Sequence, residues 1–119
     1  MTDPRKTAEN YLATWNATGD EERADCLTSW APDARYVDPM MRGEGRDGIA
    51  AMITAARTQF PGHSFTLPGA PDGYGDHVRF SWALAPDGGA PVARGTDIVR
   101  LDGEGRIAEV IGFLDGGAA

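Results

Sequence analysis

Residues 31–60 read APDARYVDPMMRGEGRDGIAAMITAARTQF. The first part alternates: Ala34, Tyr36 and Asp38 share one side of an extended chain, and Arg35 and Val37 share the other. That predicts a short strand over 34–38. The last part has a different period. Ile49, Met52, Ile53, Ala56 and Phe60 fall at i, i+3, i+4, i+7 and i+11, which predicts an amphipathic helix over 47–59, stopped by Pro61-Gly62. PMMRGEGR joins the two as a loop. Asp38 closes a hydrophobic strand just before Pro39, so its carboxylate points to a rim or into a cavity.

Upstream, Asp3-Pro4 is a helix start, with Asp3 as N-cap and Pro4 at the first helical position. Ala8, Tyr11, Leu12 and Trp15 then form one apolar stripe on a helix ending near Ala17. Gly19 and Asp20 separate it from a second helix, with Glu21 and Glu22 in its first turn. Ala24, Leu27 and Ala31 give that helix a face, Cys26 and Trp30 give it a neighbouring one, and Pro32 is expected to end it.

Downstream of Gly62 the chain reads as strands. His63, Phe65 and Leu67 alternate with Ser64 and Thr66. The turn-rich PGAPDGYGD leads to a strand over 77–84, with Val78, Phe80, Trp82 and Leu84 on one face. APDGGAP is a hairpin loop, 92–101 is the next strand, and Asp102-Gly103-Glu104-Gly105 reverses the chain into 106–114. Helices first and a meander of antiparallel strands after is an α+β pattern, with helices covering one face of a curved sheet.

The chain has 119 residues, one domain's worth, and a formal net charge of -7. Nucleic acid and anionic membrane surfaces need clustered bases. Here the only lysine is Lys6 and the ten arginines are scattered, so neither partner is expected. No apolar run approaches a membrane span, and no leader-like segment opens the chain. The lone cysteine, Cys26, cannot close an internal disulfide, which points to a reducing, cytoplasmic compartment.

Asp97 is out of place. Ala93, Gly95, Val99 and Leu101 share its side of the strand, and none carries a polar side chain. A lone buried carboxylate is costly unless paired, hydrogen-bonded or protonated, and burial favours the neutral acid. Such an acid can donate to a developing oxyanion. Equally, Asp97 can be a structural acid paired with Arg79 or with a loop amide. Both readings stand at this point. Asp38 has its own structural reading, an Asp-Pro turn whose carboxylate accepts a backbone amide. Tyr11, mid-stripe, suits a core tyrosine whose hydroxyl reaches an edge.

Other chemistries have less to stand on. No Gly-x-Ser-x-Gly elbow and no phosphate loop is present, and His63 and His77 lack a ligand spacing. The strand pair Arg100-Leu101-Asp102 opens a turn, which disfavours a water-activating epoxide hydrolase.

Taken together, YLATWNATGD, WAPDARYVDP, GRDGIAAMI and GTDIVRLDGEGRIAEVIGF resemble the SnoaL-like (polyketide cyclase-like) branch of the nuclear transport factor 2-like superfamily. In outline the chain is also similar to ketosteroid isomerase. The resemblance implies a cone-shaped α+β fold, three N-terminal helices in the concavity of a bent, mainly antiparallel sheet, with homodimers through the sheet. By the same resemblance Asp38 matches a general base, and Tyr11 and Asp97 match the tyrosine and the acid of an oxyanion hole. It implies a cofactor-free isomerase or cyclase acting on a small hydrophobic carbonyl compound, or a non-catalytic binding or dimerisation module. Trp15, Tyr36, Ile49, Met52, Phe65, Trp82 and Phe113 are the expected apolar lining, with His63 at its edge.

Overall fold

A computed structural model describes residues 3–115. The chain runs α1 (Pro4–Asn16), α2 (Asp20–Cys26), a 3-10 turn (Leu27–Ser29), β1 (Trp30–Val37), β2 (Arg42–Glu44), α3 (Gly45–Thr58), β3 (His63–Thr66), β4 (Asp72–Tyr74), β5 (His77–Pro86), β6 (Ala93–Leu101) and β7 (Ile107–Leu114). The sheet order is β2-β1-β7-β6-β5-β3, with β4 paired to the other end of the same β5 edge. Every pairing is antiparallel except β1 with β7. The strongly curled sheet and three helices make the cone-shaped α+β fold that the resemblance implies.

The stripes explain the packing. Asp3 caps α1 by accepting from the Lys6 amide at 3.2 Å. Ala8, Tyr11, Leu12 and Trp15 are all buried against the sheet. Ile49 and Ile53 of α3 are fully buried beside Val78, Val99 and Val110. Each such aliphatic side chain contributes about 1.5–3 kcal/mol by leaving water. The alternation of β6 holds: Gly95, Asp97, Val99 and Leu101 face inward.

One stretch departs from expectation. The second helix does not run to Pro32; it stops at Cys26, and Trp30 and Ala31 open β1. Tertiary packing overrides the local helical face here. Trp30 stacks on Tyr11, with ring centroids 5.7 Å apart, and its Nε1 donates to Thr14 Oγ1 at 3.1 Å. Pro32 is tolerated because the register with β7 breaks between Trp30 and Arg35, so no ladder bond needs its missing N–H. The three-residue strands β2 and β4 lie in segments read as loop and turn, since three residues carry no measurable period.

Candidate active site

The fold brings Asp38 and Asp97 together through three adjacent strands. Val37 pairs with Ile111, so Asp38, the next residue, stands beside Gly112. Gly112 in turn pairs with Asp97. With strands about 4.8 Å apart, the two aspartate backbones sit about 10 Å from each other. Only a glycine fits between them: a Cβ on Gly112 would lie 2.8 Å from Asp97 Oδ1 and 3.1 Å from the Asp38 Cβ.

Asp97 is 1% exposed. Tyr11 Oη donates to its Oδ2 at 2.5 Å and Trp82 Nε1 to its Oδ1 at 3.1 Å. Trp82 reaches it across Gly95, where any Cβ would collide with the indole ring. Arg79, the alternative partner, is taken by Asp72 at 2.8 Å. Burial lifts the Asp97 carboxyl to about 6; the Tyr11 and Trp82 bonds oppose this, and the nearby charges of Asp38 and Asp115 add to it. Burial also drives the Tyr11 hydroxyl well up, helped by the Asp97 charge, so Tyr11 stays a neutral donor.

Asp38 accepts three hydrogen bonds. Tyr36 Oη donates to Oδ2 at 2.6 Å, and the Met40 and Met41 amides donate to Oδ1 at 2.8 and 2.9 Å. The Asp-Pro turn reading is therefore realised, yet it does not use up the side chain. Two amides fill the lone pairs of Oδ1, while Oδ2 keeps one beside the Tyr36 bond. Burial first, then the Asp97 charge and the Asp38 bond, push the Tyr36 hydroxyl up as well.

These groups line one end of a cavity of about 330 Å³ between the helices and the inner sheet face. Tyr11, Leu12, Trp15, Tyr36, Asp38, Phe65, Trp82 and Asp97 contribute to its wall. Its rings form a chain of contacts: Tyr36 to Trp15 at 5.8 Å, Trp15 to Phe65 at 5.2 Å, Phe65 to Trp82 at 5.4 Å. Asn16 fixes this wall by clamping the Phe65 backbone, donating to its carbonyl at 2.9 Å and accepting from its amide at 2.8 Å.

Four expected lining residues lie elsewhere. Ile49 and Met52 are packed in the core beneath the helix, not on the cavity wall. Phe113 is 54% exposed on the outer sheet face. His63 stays outside the cavity, its Nδ1 2.9 Å from the Pro61 carbonyl and its ring against Phe60. The α3 stripe reaches the cavity further along, through Ala56 and Phe60, with Arg57 beside them. Met40 and Met41 also line it; an apolar pair in a loop directly after Asp38-Pro39 was the available signal. Among the described residues, no three His, Cys, Asp or Glu side chains group as a metal would need. Burial, then Glu22 and Asp25, push the Cys26 thiol up, away from an activated nucleophile.

The sequence profile of the SnoaL-like domain matches residues 8–110. The chain belongs to the SnoaL-like family. A SnoaL-like family protein of Agrobacterium tumefaciens, described as a candidate isomerase, is 54% identical, with a TM-score of 0.92 over 98% of this chain and 100% of its own. A candidate polyketide cyclase of Sinorhizobium meliloti shares the fold at 21% identity and a TM-score of 0.67, covering 90% of this chain and 93% of its own. A protein of Catenulispora acidiphila with a ketosteroid isomerase-like fold aligns at 19% identity and a TM-score of 0.73, over 93% of this SnoaL-like chain and 85% of its own. No protein of curated function matches. Among the described residues of this SnoaL-like protein, no helix is long and apolar enough to cross a membrane.

Proposed function

We propose that this SnoaL-like protein is a cofactor-free isomerase or cyclase for a small hydrophobic carbonyl compound. The observation that carries the reading is the buried Tyr11–Asp97 pair at the end of an apolar cavity that Asp38 also lines. Oδ2 of Asp38 takes a proton from the carbon next to the carbonyl. The enolate oxygen then needs a donor. Tyr11 offers one when Asp97 holds a proton: Asp97 donates to Tyr11 Oη, and the tyrosine O–H turns to the ligand. The resulting dienol or enol collapses by reprotonation, which is isomerisation, or by attack on a second carbonyl, which is cyclisation. The apolar walls keep water away and strengthen these hydrogen bonds.

A direct test is exchange of α-protons for deuterium in a panel of small apolar ketones, followed by proton NMR. Asp38→Asn is expected to lower exchange by about 10²–10⁴-fold, the span of a general base. Exchange that survives in Asp38→Asn sinks the proposal. A second reading, a non-catalytic ligand-binding module, is favoured by one feature: both oxygens of Asp97 already hold donors from the protein. In that case ligands bind but no exchange occurs in the wild type.

The proposal includes a homodimer through the outer sheet face. Val37, Ile111 and Phe113 stand exposed there on adjacent strands, with Ile98 across from Ile111. Sedimentation that shows a monomer in the wild type, or an intact dimer in Phe113→Asp, removes that part. The reducing cytoplasm suits the unpaired Cys26.

A further inference from the structure

Among the described residues, two buried side-chain nitrogens lack a hydrogen-bond partner: Trp15 Nε1 and Arg57 Nη1. Both residues line the same cavity. Both flank one ring, the Trp15 indole 5.2 Å from Phe65 and the Arg57 guanidinium 5.6 Å above its centroid. Both groups can only donate. A buried donor left open on a cavity wall suits an acceptor oxygen. Trp15 Nε1 at least lies near the Tyr11 hydroxyl, which it pulls down in pKa. Arg57 Nη1 has no hydrogen-bond partner among the described residues.

The charge around Arg57 sharpens this. It joins none of the ion pairs among the described residues. The neighbouring cation, Arg23, is buried and likewise has no ion pair among the described residues. Its nitrogens donate to the Thr14 carbonyl at 3.2 Å, the Ala17 carbonyl at 2.6 Å and Thr54 Oγ1 at 3.1 Å. Burial and the Arg23 charge both press the Arg57 pKa down. Asp38 and Asp97 line the same cavity but neither ion-pairs with Arg57, and Asp20, which lines the neighbouring cleft with Arg57 and Phe60, is exposed. A chain of net charge -7 thus leaves the Arg57 guanidinium at the cavity wall without an ion pair among the described residues, with Arg23 in the cleft behind it. A partly buried cation with an unmade hydrogen bond is a standing penalty that a bound anion removes.

We propose that Arg57 is the anion-recognition residue of the cavity, and that the ligand is a small apolar compound bearing a carboxylate. The carboxylate takes the Arg57 fork, and the apolar body lies along Phe65 and Trp82. Trp82 touches Asp97, so the other end of the ligand reaches Tyr11 and Asp97. In substrate terms this is a keto acid. The inference deepens the carbonyl reading above, but the carboxylate end is tested apart from it.

The probes are 2-naphthoate and its neutral shape-mate methyl 2-naphthyl ketone, titrated calorimetrically into the full chain at pH 7.5 and low salt. Wild type is expected to prefer the acid by about tenfold or more, as a desolvated guanidinium–carboxylate pair gives. Arg57→Met should bring the two probes level, and Arg57→Lys should keep part of the preference; circular dichroism and a thermal melt check that each is folded. Equal binding of the two probes by wild type, binding of neither, or a preference that persists in Arg57→Met overturns the proposal. Failure of the enolate reading shows elsewhere, as α-proton exchange that is absent or that Asp38→Asn leaves intact, with the acid preference unmoved.

Discussion

Asp97→Asn should stabilise the protein, and only above the acid range. The Asp97 carboxyl rises from 3.8 to about 6 because burial outweighs the Tyr11 and Trp82 bonds. A raised acid binds its proton more tightly folded than unfolded. Below the unfolded value both states are protonated and no penalty exists. Between 3.8 and about 6 the unfolded chain ionises first, and stability falls with rising pH. Above about 6 the full penalty is present, about 3 kcal/mol at roughly 1.4 kcal/mol per pKa unit. Asparagine keeps the shape: Oδ1 accepts from Trp82, and Nδ2 donates to Tyr11 Oη. The variant is neutral at every pH. Urea denaturation from pH 4 to 8 should therefore show Asp97→Asn near wild type at pH 4 and more stable by about 2–3 kcal/mol at pH 8, a rise in Tm of about 10 °C. The opposite trend, a variant that loses ground as pH rises, would mean that the ionised acid is held by its donors against burial. That result refutes the neutral-acid reasoning at its root.

Tyr11→Phe removes a bond that stabilises the carboxylate form, so the Asp97 midpoint in a carbon-detected NMR titration should move above about 6; an unchanged or lower midpoint contradicts the geometry. Gly112→Ala should destabilise by about 1–3 kcal/mol, because its methyl group intrudes on both aspartates, whereas Gly103→Ala, with nothing within 4 Å, should be near neutral in the same thermal melts. The pH profile of α-proton exchange, taken as kcat/KM, should fall in wild type as pH rises through about 6, since the Tyr11 donor is released to the ligand only while Asp97 is protonated. Asp97→Asn should lack that falling limb, and a limb of the same position in the variant assigns it to another group.

The carboxylate on the dry side of β6 was legible because alternation alone exposed the mismatch between Asp97 and its neighbours. The α3 stripe was legible too, but period 3.6 says only which side is buried. It does not separate the half that fills core, Ile49 and Met52, from the half that fronts a void, Ala56 and Phe60. Phe113 was misplaced for a different reason. Leu101 pairs with Ile107 while Arg100 pairs with Glu109, so β7 carries a bulge at Ala108. Ile107 before it and Val110 and Gly112 after it face inward, and Phe113 is turned outward. No local pattern announces that extra residue. Arg23 and Arg57 escaped notice because lone arginines on a helix read as solvated, and their burial depends on which helices meet.

Two carboxylates one glycine apart share a cavity but not an environment, and that difference decides their chemistry. Asp38 lies at a strand end, held by two amides and a hydroxyl, and keeps a free lone pair. Asp97 lies mid-strand, behind Tyr11 and Trp82, at 1% exposure. With both oxygens already holding protein donors, Asp97 acts through Tyr11 in the proposed mechanism. Ionised, it holds the Tyr11 proton; neutral, it returns that proton to the cavity. In the proposed mechanism Tyr11 is the donor to the enolate and Asp97 its positioning residue, and Trp82 holds Asp97 by donating to Oδ1. On that proposal one proton on Asp97 gates the donor, and Gly112 leaves the room that both acids need.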